Sequence, residues 1–114
     1  MEPNENSNTD NDTSLLIRRL SKLGPLSSQT RVGIMVVLLA LKKATFTDIL
    51  VAIRTSKSSL STSLSILERS GYIRTEYGFF SRGGPRTIII ITEEGENAIS
   101  EYLDIMGRLI NIIK

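Results

Sequence analysis

The stretch that decides the fold is TFTDILVAIRTSKSSLSTSLSILERSGYIRTEYGFFSRGGPRTIIIIT, from Thr45 to Thr92. Phe46, Ile49, Leu50 and Ile53 recur at i, i+3, i+4 and i+7, the signature of one helix face. Thr47 can cap that helix, and Asp48 suits its positive N-terminal end. Arg54-Thr55 makes a turn. Ser56 can cap a second helix over 57–70, with Leu60, Leu64 and Leu67 as its inward stripe. Gly71 closes it, because glycine enters the left-handed region without a Cβ penalty. Tyr72 to Tyr77 alternates like a strand, and the β-branched run Thr87 to Ile91 reads as its partner. Gly78 to Pro85 is the loop between them, too long for a tight hairpin and therefore projecting. Two helices, a glycine stop and a hairpin wing in this order form a device for holding duplex DNA.

Before this stretch, Leu15, Leu16, Ile17, Leu20 and Leu23 recur at helical spacing, and Gly24-Pro25 stops that helix. The next helix starts near Ser27 or Ser28 and runs to about Lys43. It is apolar over most of its circumference (Val32, Met35, Val36, Leu38, Leu39) and reads as the central core helix. Lys42 and Lys43 are expected in its last turn, with Ala44 to Phe46 as an extended link. After the wing, Thr92 caps a long final helix. Ile99, Tyr102, Met106, Leu109 and Ile113 repeat along it at 3-4-3-4 spacing, and Leu103 and Ile110 widen the stripe.

Composition narrows the chemistry. The 114 residues make one domain by length, with no Cys and no His. Thiol catalysis, disulfides, the usual zinc ligands and the commonest general base are all missing, so no catalytic residue, metal site or cofactor is expected. No secretory signal is visible. The longest apolar run, Val32 to Leu41, is too short to span a bilayer, so the expected setting is cytoplasmic with no membrane partner.

The net charge of +2 conceals an asymmetry. Residues 1–12 hold Glu2, Glu5, Asp10 and Asp12 and no base; with little to bury, they are expected to form a disordered acidic tail. Residues 13–92 hold twelve bases against Asp48, Glu68 and Glu76. Residues 93–114 are acidic again. A middle this basic attracts polyanions, although a basic face that only aids solubility is the plainer alternative.

Opposite the leucine stripe of the 57–70 helix lie Ser58, Ser61, Thr62, Ser65 and Arg69. Small hydroxyls allow a helix backbone deep into a major groove, but they lack the bidentate Arg–guanine and Asn–adenine pairs that discriminate strongly. Serines merely tolerated on a solvated face would look the same. Arg82 and Arg86 bracket Gly83-Gly84-Pro85, and Arg74 lies on the outgoing strand. They are placed to reach phosphates or a narrow minor groove, unless the loop is an ordinary exposed one with stray charges.

From Thr30 to about Tyr102 the chain resembles the winged-helix transcription regulators of the MarR-like and ArsR-like type, closest to the short single-domain prokaryotic members. Four stretches carry the resemblance. They are Thr30-Arg31-Val32-Gly33-Ile34; Ala44 to Ile49; Leu60 to Ile73; and Pro85-Arg86-Thr87 with the Thr92-Glu93-Glu94-Gly95 that follows the strand. The resemblance implies a homodimer on a pseudo-palindromic operator, with Lys57 to Ser70 as recognition helix. Lys57, Ser58, Ser59, Ser61, Thr62, Ser65 and Arg69 would contact the major groove; Arg74, Arg82 and Arg86 would act from the wing, 78–86, on backbone or minor groove. It leaves room for an unidentified small-molecule effector.

The expected fold is therefore α+β, mainly α: a winged helix-turn-helix over 13–114, with a three-helix core and a two-stranded wing. Helices 13–23 and 92–114 are its dimerisation helices. Leu16, Leu20, Ile99, Tyr102, Leu103, Met106, Leu109, Ile110 and Ile113 exceed what one small core requires and are expected at a subunit contact, unless both helices fold back on their own domain. Besides a DNA-binding regulator, two non-enzymatic readings stand: an architectural protein coating DNA without sequence choice, and a winged-helix protein–protein module.

Overall fold

The computed structural model describes residues 5–80 and 84–114. The elements run α1 (Glu5–Ser21), a 3-10 turn (Gly24–Leu26), α2 (Gln29–Leu41), β1 (Lys43–Thr45), α3 (Phe46–Ile53), α4 (Lys57–Arg69), β2 (Ile73–Phe80), β3 (Gly84–Ile91) and α5 (Glu93–Ile113). Among these residues, no helix is long and apolar enough to cross a membrane.

Hydroxyl side chains start four of the helices. Ser28 Oγ accepts from the Arg31 amide at 3.3 Å, Ser56 Oγ from Ser59 at 3.0 Å and Thr92 Oγ1 from Gly95 at 3.0 Å. For α3 the cap is Thr45, not Thr47: Thr45 Oγ1 accepts from the Asp48 amide at 3.1 Å. Pairing decides between them. Lys43, Ala44 and Thr45 lie opposite Ile90, Ile89 and Ile88, so the extended link is a third strand and the helix begins directly after it.

The sheet is antiparallel in the order β1-β3-β2, one strand more than the expected two-stranded wing. The central helix also ends earlier than expected. Lys42 takes a φ of 71° and caps α2 through its amide, and its carbonyl accepts from Ile91 at 3.1 Å. Lys43 already belongs to β1. The wing is more regular than the glycines suggest: β2 and β3 stay paired to Phe80↔Gly84, so Gly78 and Pro85 are strand residues and not loop. At the other end, α1 begins at Glu5, and helical backbone continues into the segment read as an acidic tail.

The core gathers Ile34, Met35 and Leu38 of α2, Ile49 of α3, Leu60, Leu64 and Leu67 of α4, Ile73, Ile89 and Ile91 of the sheet, and Ala98 and Ile99 of α5. Each fully buried Leu or Ile contributes roughly 1.5–3 kcal/mol by transfer from water. The helix-turn-helix is thereby locked from behind, and the far face of α4 is left to solvent.

Candidate nucleic-acid interface

Lys57, Ser58, Ser61, Thr62, Ser65 and Arg69 are all exposed on α4. Ser59 is half-buried, and its amide donates to the Ser56 cap. Ser63 is the exception among the hydroxyls of this helix: it lies buried on the core side, beside Leu64 and Leu67. Thr62 carries a feature that spacing does not reveal. Its hydroxyl donates to the Ser58 carbonyl at 3.0 Å, so its proton is already engaged and only its lone pairs face outward.

Arg74 is exposed on β2, with Nε donating to Glu76 Oε1 at 3.3 Å. Arg86 is exposed on β3 opposite Gly78. With Thr45, Phe46, Thr47 and Thr87 it lines a shallow hollow of about 250 Å³ at the start of α3. Arg82 lies outside the described residues.

The nine residues expected at a subunit contact divide. Leu16 and Ile99 are buried within their own protomer, and Tyr102 packs against the core. Leu20, Met106 and Leu109 are half-buried. Leu103, Ile110 and Ile113 are exposed, at 43%, 51% and 83%. The free stripe of α5 thus runs through Leu103 and Ile110, at i and i+7, with the half-buried Met106 between them at i+3. Leu15 and Ile17 of α1 are also exposed. Ile105, absent from the expected stripe, is fully buried.

A charged cluster fastens α1 to α5. Arg19 bonds Glu101 at 2.6 Å and Asp104 at 3.2 Å, and Arg108 reaches Asp104 at 3.0 Å. The Arg108 hydrogen bond, and then that of Arg19, holds the Asp104 carboxyl below its ordinary range. A depressed carboxyl stabilises above its unfolded value, and that contribution disappears as pH falls through the folded one. Docking of α1 is therefore expected to persist to pH below the usual Asp value of about 3.9. Asp104→Asn should remove that acid dependence at little cost near neutrality, since the pair is exposed. NMR signals of α1 followed through an acid titration check this.

The match to known proteins follows the same anatomy. A family model described as a winged helix DNA-binding domain fits residues 30–110. The chain belongs to the winged helix DNA-binding domain family. Its fold is shared with transcriptional regulators of known structure, a MarR family member among them. A transcriptional regulator homologue from Pyrococcus horikoshii OT3 is similar at 27% identity and TM-score 0.76, over 85% of this chain and 98% of that one. A MarR family regulator from Silicibacter pomeroyi is similar at 18% identity and TM-score 0.62, over 87% and 64%. Overoxidized AbfR bound to DNA is similar at 18% identity and TM-score 0.67, over 85% and 68%. Among curated proteins no relative of this winged-helix chain is found.

Proposed function

We propose that this winged-helix protein regulates transcription as a homodimer on duplex DNA, with α4 in the major groove and the β2–β3 wing on backbone or minor groove. The observation that carries this is the α4 face itself. Six neighbouring polar residues, Lys57, Ser58, Ser61, Thr62, Ser65 and Arg69, stand exposed, and the four hydroxyl residues among them are small. The homodimer is supported by the free apolar stripe on α5 and by the chain's dimensions. Its radius of gyration is 17.6 Å, against about 13 Å for a compact globule of this length. A monomer of that shape leaves Leu103, Ile110, Leu15 and Ile17 in water; a twofold pairing of α1 and α5 covers them. An effector would seat in the apolar cleft of about 430 Å³ between α1, the 3-10 turn and α5, against Leu20, Leu23, Tyr102 and Met106.

One observation favours sequence-tolerant binding as a second reading. With the Thr62 proton engaged and no Asn, Gln or Arg at the centre of the face, α4 has few means of telling base pairs apart. Selection of duplexes from a random pool separates the two. Enrichment of a palindromic motif supports the regulator; an unenriched pool supports a coating protein.

Arg86→Ala is expected to weaken binding to every duplex alike. It should also make the salt dependence shallower by about one unit of log Kd per log salt. Fluorescence anisotropy at several salt concentrations reads both. A loss confined to one sequence would move Arg86 from phosphate to base contact.

A further inference from the structure

The turn that ends α4 and the first turn of α5 are built into one joint. Gly71, at φ +80°, donates from its amide to Glu68 at 3.0 Å, and Tyr72 donates to Leu67 at 3.0 Å. Thr92 then holds this turn with two groups. Its amide donates to the Tyr72 carbonyl at 3.0 Å, and its hydroxyl donates to the Gly71 carbonyl at 2.6 Å. The same hydroxyl oxygen caps α5 by accepting from Gly95. One side chain thus closes the recognition helix and opens the dimer helix.

Contact at this joint is closer than any other residue type would permit. A Cβ on Gly95 would lie 2.0 Å from the Tyr72 carbonyl oxygen, a backbone atom that cannot swing aside, whereas at Gly71 it is the φ of +80° that a side chain would strain. On the other side, Glu96 pairs with Lys42 Nζ at 2.6 Å, tying the same turn of α5 to the end of α2. Leu103, Met106 and Ile110 follow on the same uninterrupted helix.

We propose that Thr92 and Gly95 are positioning residues that fix the angle between α4 and α5, and so set the half-site spacing the dimer accepts. This rests on the dimeric DNA-binding reading. The lever is long. Relieving a Gly95 Cβ clash needs a shift of about 1 Å, which across one helical turn of about 5.4 Å is a tilt of roughly 10°. Over the roughly 31 Å of α5 that tilt displaces the far end by roughly 5 Å, more than one base-pair step.

The chain has no cysteine, so Glu68→Cys, at an exposed α4 position outside the proposed contacts, takes one spin label per protomer. Electron–electron distance measurement on the full chain then gives the separation of the two recognition helices. Duplexes carrying two copies of the selected half-site at stepwise separations give the spacing preference. Thr92→Ser keeps the hydroxyl and is expected to match the unsubstituted protein in both. Thr92→Val and Gly95→Ala are expected to remain dimers with unchanged affinity for a single half-site. Their label distance should shift or broaden by several ångström, and their preferred spacing should move by at least one base pair.

Folded, dimeric Thr92→Val with the original distance and spacing overturns the proposal, and it decides alone if Gly95→Ala does not fold. A parent protein that is monomeric, or that binds no duplex, defeats the underlying reading instead, and is recognised before any variant is made.

Discussion

Thr62→Glu is expected to weaken duplex binding by a hundredfold or more while leaving the fold in place. Thr62 is exposed at the middle of α4, between Ser58 and Ser65 on the proposed groove face. A carboxylate there faces the phosphates, and an opposed like charge costs several kcal/mol, where each 1.4 kcal/mol is tenfold in Kd. Glutamate is a better helix former than threonine, and the substitution also frees the Ser58 carbonyl from a side-chain bond that slightly weakens helices. Unfolding cannot then account for the loss, and an unchanged thermal midpoint verifies that. Thr62→Ala is the matched control: it removes the hydroxyl without adding charge and is expected to change affinity by less than about tenfold, since the threonine proton is already engaged. Full duplex affinity in Thr62→Glu would take α4 out of the groove.

Leu103→Asp combined with Ile110→Asp is expected to convert the dimer to monomer. Both side chains are about half exposed in a single protomer, one turn either side of Met106 on the outer face of α5. In a twofold contact each appears twice, so four apolar side chains, each already half covered in its own protomer, lose about half of the roughly 1.5–3 kcal/mol that full burial supplies. Burial of unpaired carboxylates in their place adds a further penalty. The expected rise in dimer Kd is at least a thousandfold, read by sedimentation or light scattering across a concentration series. Binding to a two-half-site duplex should fall by roughly 10²–10⁴, the avidity of joining two modules. Binding to one half-site should survive. The protomer itself should stay folded, because its buried residues are untouched: Ile105 lies on the other side of α5, and Ile99 sits further back on the length of the helix that packs on the core. A variant that remains dimeric would place the subunit contact elsewhere.

The helix-turn-helix was legible because two independent signals coincide in it. Apolar residues at helical spacing give α3 and α4 their inner faces, and a hydroxyl marks each start. What escaped was settled by long-range pairing. Thr45 and Thr47 are equally good caps in isolation, and only the pairing of Ala44 with Ile89 chooses the first. Three residues of strand are too few to show a period. Gly78 reads as a turn residue, yet it sits inside β2 opposite Arg86.

The α5 stripe misled for a different reason. Along its length this helix meets the core, α1 and solvent, so one regular repeat on nearly one face covers three environments. Ile99 belongs to the first and Leu103 to the last, although both fit the same pattern. The exposed chemistry of α4 followed from angular placement alone, but the Thr62–Ser58 bond and the close approach of Gly95 to Tyr72 required coordinates.

The central claim is that duplex DNA lies on the hydroxyl face of α4 and on the wing. Backbone amide shifts of isotope-labelled protein, titrated with a duplex at low salt, test it most directly. Perturbations concentrated in Lys57–Arg69 and around Arg74 and Arg86, and reversed by added salt, are the expected result. Shifts confined to the outer face of α5, with α4 and the wing silent, would contradict it.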